Sequence, residues 1–268
     1  MPSATLNGIT VNYQVTGDGA DLAVLVMGTG SPGGVWRAHQ VPALVDAGYR
    51  VVTFDNRGIP PTDECAGGFT VDDMVGDTAA LIEHLGGGPA RVAGTSLGAR
   101  VVQELALARP DLVSHAALLA TYGRPDPVRT TLSLGERELH DSGVKLPDRF
   151  HAAFSALRYL SPATLADPVT AKDWLELFEY GGSSVGAGVR AQMALNDFTD
   201  RLADYRRITV PCLVVGFTDD RTLPPHLARE VADVIPGARY AEVADAGHLG
   251  YLEKPAEVNR LLVDFFAS

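Results

Sequence analysis

Short apolar runs separated by stretches of helical periodicity restrict the fold of this chain more than any other feature. Residues 22–27, 49–54, 91–93, 115–120, 212–216 and 239–243 are too short for core helices, and most are too continuously apolar for strands with one wet face. Strands buried on both faces belong to parallel sheets, which need crossover connections, usually helical. Residues 71–85 fit such a crossover: Thr70 can cap its start, Asp73 follows three residues on, and the glycines at 86–88 stop it. A final helix is expected over 255–266. Ahead of this alternation, Asn7-Gly8 is a hairpin signal, so residues 9–14 are expected to be the second of two antiparallel strands. The pattern implies an α/β fold built on a doubly wound, mostly parallel sheet.

From 122 to 208 the alternation stops. No convincing strand is found there, and amphipathic segments fall at 149–160, 171–180 and 189–205. A helical block inserted after the sixth strand cannot extend the sheet and must lie over one edge of it. Ligands of α/β folds bind at the carboxyl edge, so the expected organisation is a core of 1–121 and 209–268 with a helical lid, 122–208, over the site.

Composition removes several function classes. With 46% hydrophobic and 21% charged residues and no biased segment, the 268-residue chain should fold throughout. A formal charge of −11 argues against a nucleic-acid partner, which is held by clustered Lys and Arg. The first residues lack a signal-peptide pattern and 22–27 is too short to cross a bilayer, so the expectation is a cytoplasmic protein without membrane association. Cys65 and Cys212 have no metal-type spacing and are expected as free thiols; neither a metal nor a cofactor is expected. The oligomeric state is left open.

Gly94-Thr95-Ser96-Leu97-Gly98 is weak evidence of chemistry by itself, because the chain has 28 glycines. Its position gives it weight: an apolar strand precedes it and a helical pattern follows, the setting in which a sharp turn exposes a serine hydroxyl. Serine needs a histidine base oriented by a carboxylate. Of seven histidines, His248 alone lies between the last strand and the last helix, and Asp219 and Asp220 both follow the preceding strand. The residues leave those two aspartates in competition.

Together, Gly94–Gly98, Asp55-Asn56-Arg57-Gly58, the Asp220-to-Pro224 run and Gly247-His248 followed by Glu253-Lys254-Pro255 make the chain resemble the α/β-hydrolase superfamily over nearly its whole length. It is most similar to the lidded esterase and cofactor-free haloperoxidase (perhydrolase) group. The resemblance implies Asp220 as the acid, four residues before a proline, and an oxyanion hole from the backbone N–H groups of Leu97 and Thr29. It implies a hydrolase acting on a carboxylic ester, thioester or lactone. Alternatives are perhydrolysis or carbon–carbon hydrolysis at the same site, or a ligand-binding member without turnover. Halide-displacing and epoxide-opening relatives need an aspartate where Ser96 stands.

Two departures stand out: Met27-Gly28 replaces the usual His-Gly, and Arg57-Gly58-Ile59-Pro60-Pro61 has no ready explanation. Arg57 and Asp77 read as a cap or a structural ion pair. Trp36, with His39, could line the oxyanion loop or pack beneath it. Among Phe150, Phe154, Trp174, Phe178 and Tyr180, most should be helix core; Trp36, Phe154, Trp174 and Phe178 are the candidate substrate-binding residues. An uncharged small molecule with an apolar acyl group or ring is the expected substrate.

Overall fold

Eight strands form one sheet in a computed structural model that describes residues 2–182, 185–195 and 199–268. They are β1 (Ser3–Leu6), β2 (Ile9–Thr16), β3 (Leu22–Val26), β4 (Arg50–Phe54), β5 (Ala90–Thr95), β6 (Val113–Leu119), β7 (Cys212–Phe217) and β8 (Arg239–Val243), in the spatial order β1-β2-β4-β3-β5-β6-β7-β8. Only the pairings of β2 with β1 and with β4 are antiparallel. Asn7 and Gly8 turn the first hairpin with φ of 47° and 80°, the two positive values that a two-residue turn of this kind requires.

Twelve α-helices are described: α1 (Gln40–Asp46), α2 (Val71–His84), α3 (Leu97–Ala108), α4 (Pro127–Asp141), α5 (Asp148–Tyr159), α6 (Pro162–Ala166), α7 (Pro168–Gly181), α8 (Ala187–Ala194), α9 (Leu202–Tyr205), α10 (Pro225–Val234), α11 (Gly250–Glu253) and α12 (Pro255–Phe266). Alternation along the buried strands makes two cores. Val24, Val26 and Val92 face α2, α3 and α10 through Met74, Val101 and Val231, whereas Ala23, Leu25 and Ala93 face α1 and α12 through Leu44 and Leu262. Full burial of each larger side chain contributes about 1.5–3 kcal/mol, which is why the register of the sheet is firmly set.

The crossover helix α2 starts as its sequence requires: Thr70 Oγ1 accepts the Asp73 N–H at 3.2 Å and Asp73 Oδ2 accepts the Thr70 N–H at 2.8 Å. Six helices, α4 to α9, fall between β6 and β7, and no strand occurs there among the described residues. The segment expected as one helix over 189–205 is instead α8 and α9, and residues 196–198 of it lie outside the described residues. Helix α4 was not expected as an element; it carries a glycine, Gly135, and two threonines in its interior, which weaken its helical pattern. No described helix is long and apolar enough to cross a membrane.

Candidate active site

Ser96 stands between β5 and α3 with φ 55° and ψ −119°, a conformation in which a residue with a Cβ is strained. The strain is held by surrounding contacts. Ser96 N–H donates to the Leu119 carbonyl at 3.0 Å, and α3 begins at once, with Arg100 N–H bonded to the Ser96 carbonyl. Both flanking glycines are sterically required: a Cβ on Gly94 would lie 2.3 Å from the Gly98 carbonyl oxygen, and one on Gly98 would lie 2.2 Å from that of Val26. The Gly-x-Ser-x-Gly pattern is therefore a packing requirement of a strand–turn–helix corner that leaves the serine side chain half-buried at the carboxyl edge of the sheet.

Two further loops reach that edge. Asp220 follows β7, His248 follows β8, and His248 Nδ1 lies 2.7 Å from Asp220 Oδ2 with both residues buried. The other carboxylate oxygen, Asp220 Oδ1, accepts the N–H groups of Thr222 and Leu223 at 2.8 Å each. Beside a carboxylate that only accepts, Nδ1–H is the donor to Asp220 Oδ2, which leaves Nε2 with its lone pair. Asp219 does not meet the histidine; its backbone N–H bonds to Ala246 and its side chain is partly exposed. Glu253 braces the histidine loop by accepting the N–H of Gly247 at 2.6 Å and that of Ser161, just beyond α5, at 2.8 Å.

The loop after β3 lies against Ser96: a Cβ on Gly28 would sit 3.3 Å from the Ser96 Cβ. Neither Thr29 N–H nor Leu97 N–H has an acceptor among the described residues. Leu97 opens α3, where the first backbone donors have no partner within the helix and the helix dipole favours an anion. The Asp55–Gly58 segment holds this loop. Asn56 Nδ2 donates to the Met27 carbonyl at 2.8 Å, and Asp55 Oδ1 accepts the Gly33 N–H at 2.8 Å. Arg57 is turned away from the loop, and its Nε and Nη2 bond to the two oxygens of Asp77 at 2.6 and 2.5 Å. The pair is 7% and 3% exposed, so it cannot be rescued by water when one partner is lost. Asp77→Ala should therefore lower stability by about 3 kcal/mol and the melting temperature by roughly 10 °C. Thermal and urea unfolding of the variant check this, and a loss below about 1 kcal/mol would mean that the pair is not a net brace.

The helical segment meets the histidine loop. The Tyr159 carbonyl accepts the Leu249 N–H at 3.2 Å, its ring lies 5.9 Å from that of His248, and Phe178 and Trp174 continue the row at 6.4 and 5.6 Å spacings. Trp174 and Phe178 are one turn apart on α7, so a single helix face carries both toward the histidine. Phe154 points elsewhere: it is 45% exposed and stacks on Phe150 at 6.3 Å. Trp36 is fully buried against Tyr251, with ring centroids 4.8 Å apart, in the core shared with α1 and α12. His39 is exposed. Tyr159, Glu253 and the buried Gln192, described below, were not singled out as site residues from the sequence. A tyrosine ending an amphipathic helix and a glutamine in a small-residue helix carry no periodic signal of their own.

The α/β hydrolase family model matches residues 23–261. "Putative non-heme bromoperoxidase BpoC" of Mycobacterium tuberculosis is 48% identical over 260 residues, covering 97% of this chain and 98% of that protein. Its crystal structure superposes with a TM-score of 0.92 over 96% of this chain and 95% of that one. "Pyrrolizixenacetamide deacetylase" of Xenorhabdus hominickii is 30% identical, covering 100% of this chain and 98% of that protein. The enol-lactonase of Burkholderia xenovorans LB400 is 26% identical, with a TM-score of 0.85 and full coverage of both chains. With a family model matched over nearly its whole length and the mostly parallel eight-stranded sheet beneath it, this chain belongs to the alpha/beta hydrolase family.

Proposed function

We propose that the chain is a serine hydrolase that opens carboxylic esters, thioesters or lactones through an acyl-enzyme on Ser96. The observation that carries this reading is the buried 2.7 Å bond between His248 Nδ1 and Asp220, at the same sheet edge as the Ser96 corner. In the first step Ser96 Oγ attacks the acyl carbon while His248 Nε2 takes its proton, and Asp220 stabilises the imidazolium. The N–H groups of Leu97 and Thr29 receive the developing oxyanion. His248 then protonates the leaving oxygen or sulfur, and a water molecule deprotonated by His248 releases the acid and restores the serine. A relative named as a lactonase and another named as a deacetylase both cleave at an acyl carbon, which supports the reaction class.

A second reading, perhydrolysis, is favoured by the name of the 48% identical relative, a putative non-heme bromoperoxidase. In it hydrogen peroxide replaces water at the acyl-enzyme and leaves as a peracid, which can oxidise bromide in solution.

One panel tests both readings: hydrolysis of p-nitrophenyl esters from acetate to decanoate, and bromination of a dye by acetate, hydrogen peroxide and bromide. The expected result is Ser96-dependent ester turnover, with a preference set by α7. Trp174→Ala and Phe178→Ala should each shift the kcat/KM ratio between short and long acyl groups by roughly tenfold, the worth of one or two apolar contacts. Phe154→Ala should leave the ratio unchanged because that ring is at the surface. No turnover of any ester, or equal profiles in all three variants, counts against the acyl-group assignment.

A further inference from the structure

Gln192 on α8 is fully buried, and both ends of its amide are used outside its own helix. Its Oε1 accepts the Gly30 N–H at 2.8 Å, and its Nε2 donates to the Arg57 carbonyl at 2.8 Å. The helix is pressed onto the same two loops: a Cβ on Gly188 would lie 2.2 Å from the Gly58 carbonyl oxygen, and one on Gly30 would lie 3.2 Å from Val189 Cγ1. One amide from the helical segment thus joins the loop beside Ser96 to the loop after β4, which is itself anchored through Arg57 to Asp77.

The acceptor matters because of where Gly30 lies. Ser31 N–H reaches back to the Gly28 carbonyl at 3.4 Å and Gly30 has φ 74°, the pattern of a type II turn with Thr29 and Gly30 at its centre. Its middle peptide, from Thr29 to Gly30, can rotate to the type I form, which displaces the centre of the turn. The N–H of Gly30 belongs to that middle peptide, so a fixed acceptor for it selects one of the two orientations. Asn56 on the Met27 carbonyl and Asp55 on the Gly33 N–H hold the ends of the loop but not its centre.

We propose that Gln192 is a positioning residue for the oxyanion hole: by binding Gly30 N–H it holds the Gly28–Ser31 turn at its place beside Ser96, and with it the position of Thr29 N–H. The proposal rests on the acyl-transfer reading above. It makes the docked α8 helix a condition for full transition-state stabilisation. Substrate binding, which does not depend on the developing charge, is then largely indifferent to Gln192.

The test compares an oxygen ester with the matching thionoester, whose negative charge develops on a sulfur that is too large and too weak an acceptor for two backbone donors. Gln192→Met keeps the length of the side chain and removes the amide. It is expected to lower kcat for the oxygen ester by about tenfold or more, to leave KM within about twofold, and to leave the thionoester rate nearly unchanged, so that the oxygen-to-sulfur rate ratio collapses. Gln192→Glu retains an acceptor for Gly30, and its ratio should stay within about twofold of wild type even if kcat falls through loss of the Arg57 bond. It is also the variant that decides if Gln192→Met does not fold. Ser96-dependent turnover with parallel losses for both esters in Gln192→Met, or a collapsed ratio in Gln192→Glu, overturns this inference alone. A wild-type protein without Ser96-dependent turnover overturns the acyl-transfer reading together with it.

Discussion

Ser96→Ala is expected to remove at least four orders of magnitude of ester turnover, down to the residual contribution of binding and oxyanion donors. The hydroxyl is the only atom lost. Alanine tolerates the same backbone region about as well as serine, and the half-buried site leaves no polar group stranded, so the variant should fold with nearly unchanged stability. The size of the expected effect follows from covalent catalysis: without the nucleophile, His248 and Asp220 have nothing to activate but water, in a geometry arranged for the serine. Residual activity above about 1% of wild type would assign the chemistry to another group.

The second large effect concerns the carboxylate. Asp220→Asn should lower kcat by roughly a thousandfold to ten-thousandfold. The asparagine can keep its oxygen on the N–H groups of Thr222 and Leu223, where Asp220 Oδ1 now sits at 2.8 Å from both. That arrangement turns its NH2 toward His248 Nδ1. The histidine must then accept at Nδ1 and carry its proton on Nε2, the wrong tautomer for taking a proton from Ser96. Asp219→Asn should change kcat by less than about threefold, since its side chain does not reach the ring. Steady-state kinetics of the two variants, with the melting temperature as a control for folding, give the comparison. A larger loss from Asp219→Asn than from Asp220→Asn would move the acid one residue along the chain.

Much of this arrangement could be read from residue order because local sterics and burial write themselves into sequence. Gly94 and Gly98 are fixed because a Cβ on either would come within 2.5 Å of a backbone oxygen, and the strands β3, β5 and β7 by burial on both faces, so both leave plain marks. The Thr70 and Asp73 capping box is likewise local. Which of two adjacent aspartates meets a histidine 28 residues away is not local; the residues left both open and only the family resemblance implied Asp220, and the turn that lets Thr222 and Leu223 donate to it gives the physical reason. Long-range roles are the least legible. Phe154 and Phe178 have the same hydrophobic character on neighbouring helices, yet one stacks at the surface and the other continues toward His248. Arg57 and Asp77 could be read as a cap or an ion pair, and they form the ion pair, whereas the approach of Gly188 to Gly58 and the Gln192 bond to the Arg57 carbonyl left no mark because they come from α8.

The central claim is that Ser96 is a nucleophile activated by the His248–Asp220 pair. The most direct measurement is peptide mapping by mass spectrometry after treatment with a fluorophosphonate at neutral pH, on the wild type and on Ser96→Ala and His248→Ala. One adduct per chain on the peptide that contains Ser96, absent in Ser96→Ala and slowed by several orders of magnitude in His248→Ala, is the predicted result. An adduct on any other residue, or labelling of the wild type no faster than that of His248→Ala, would contradict it.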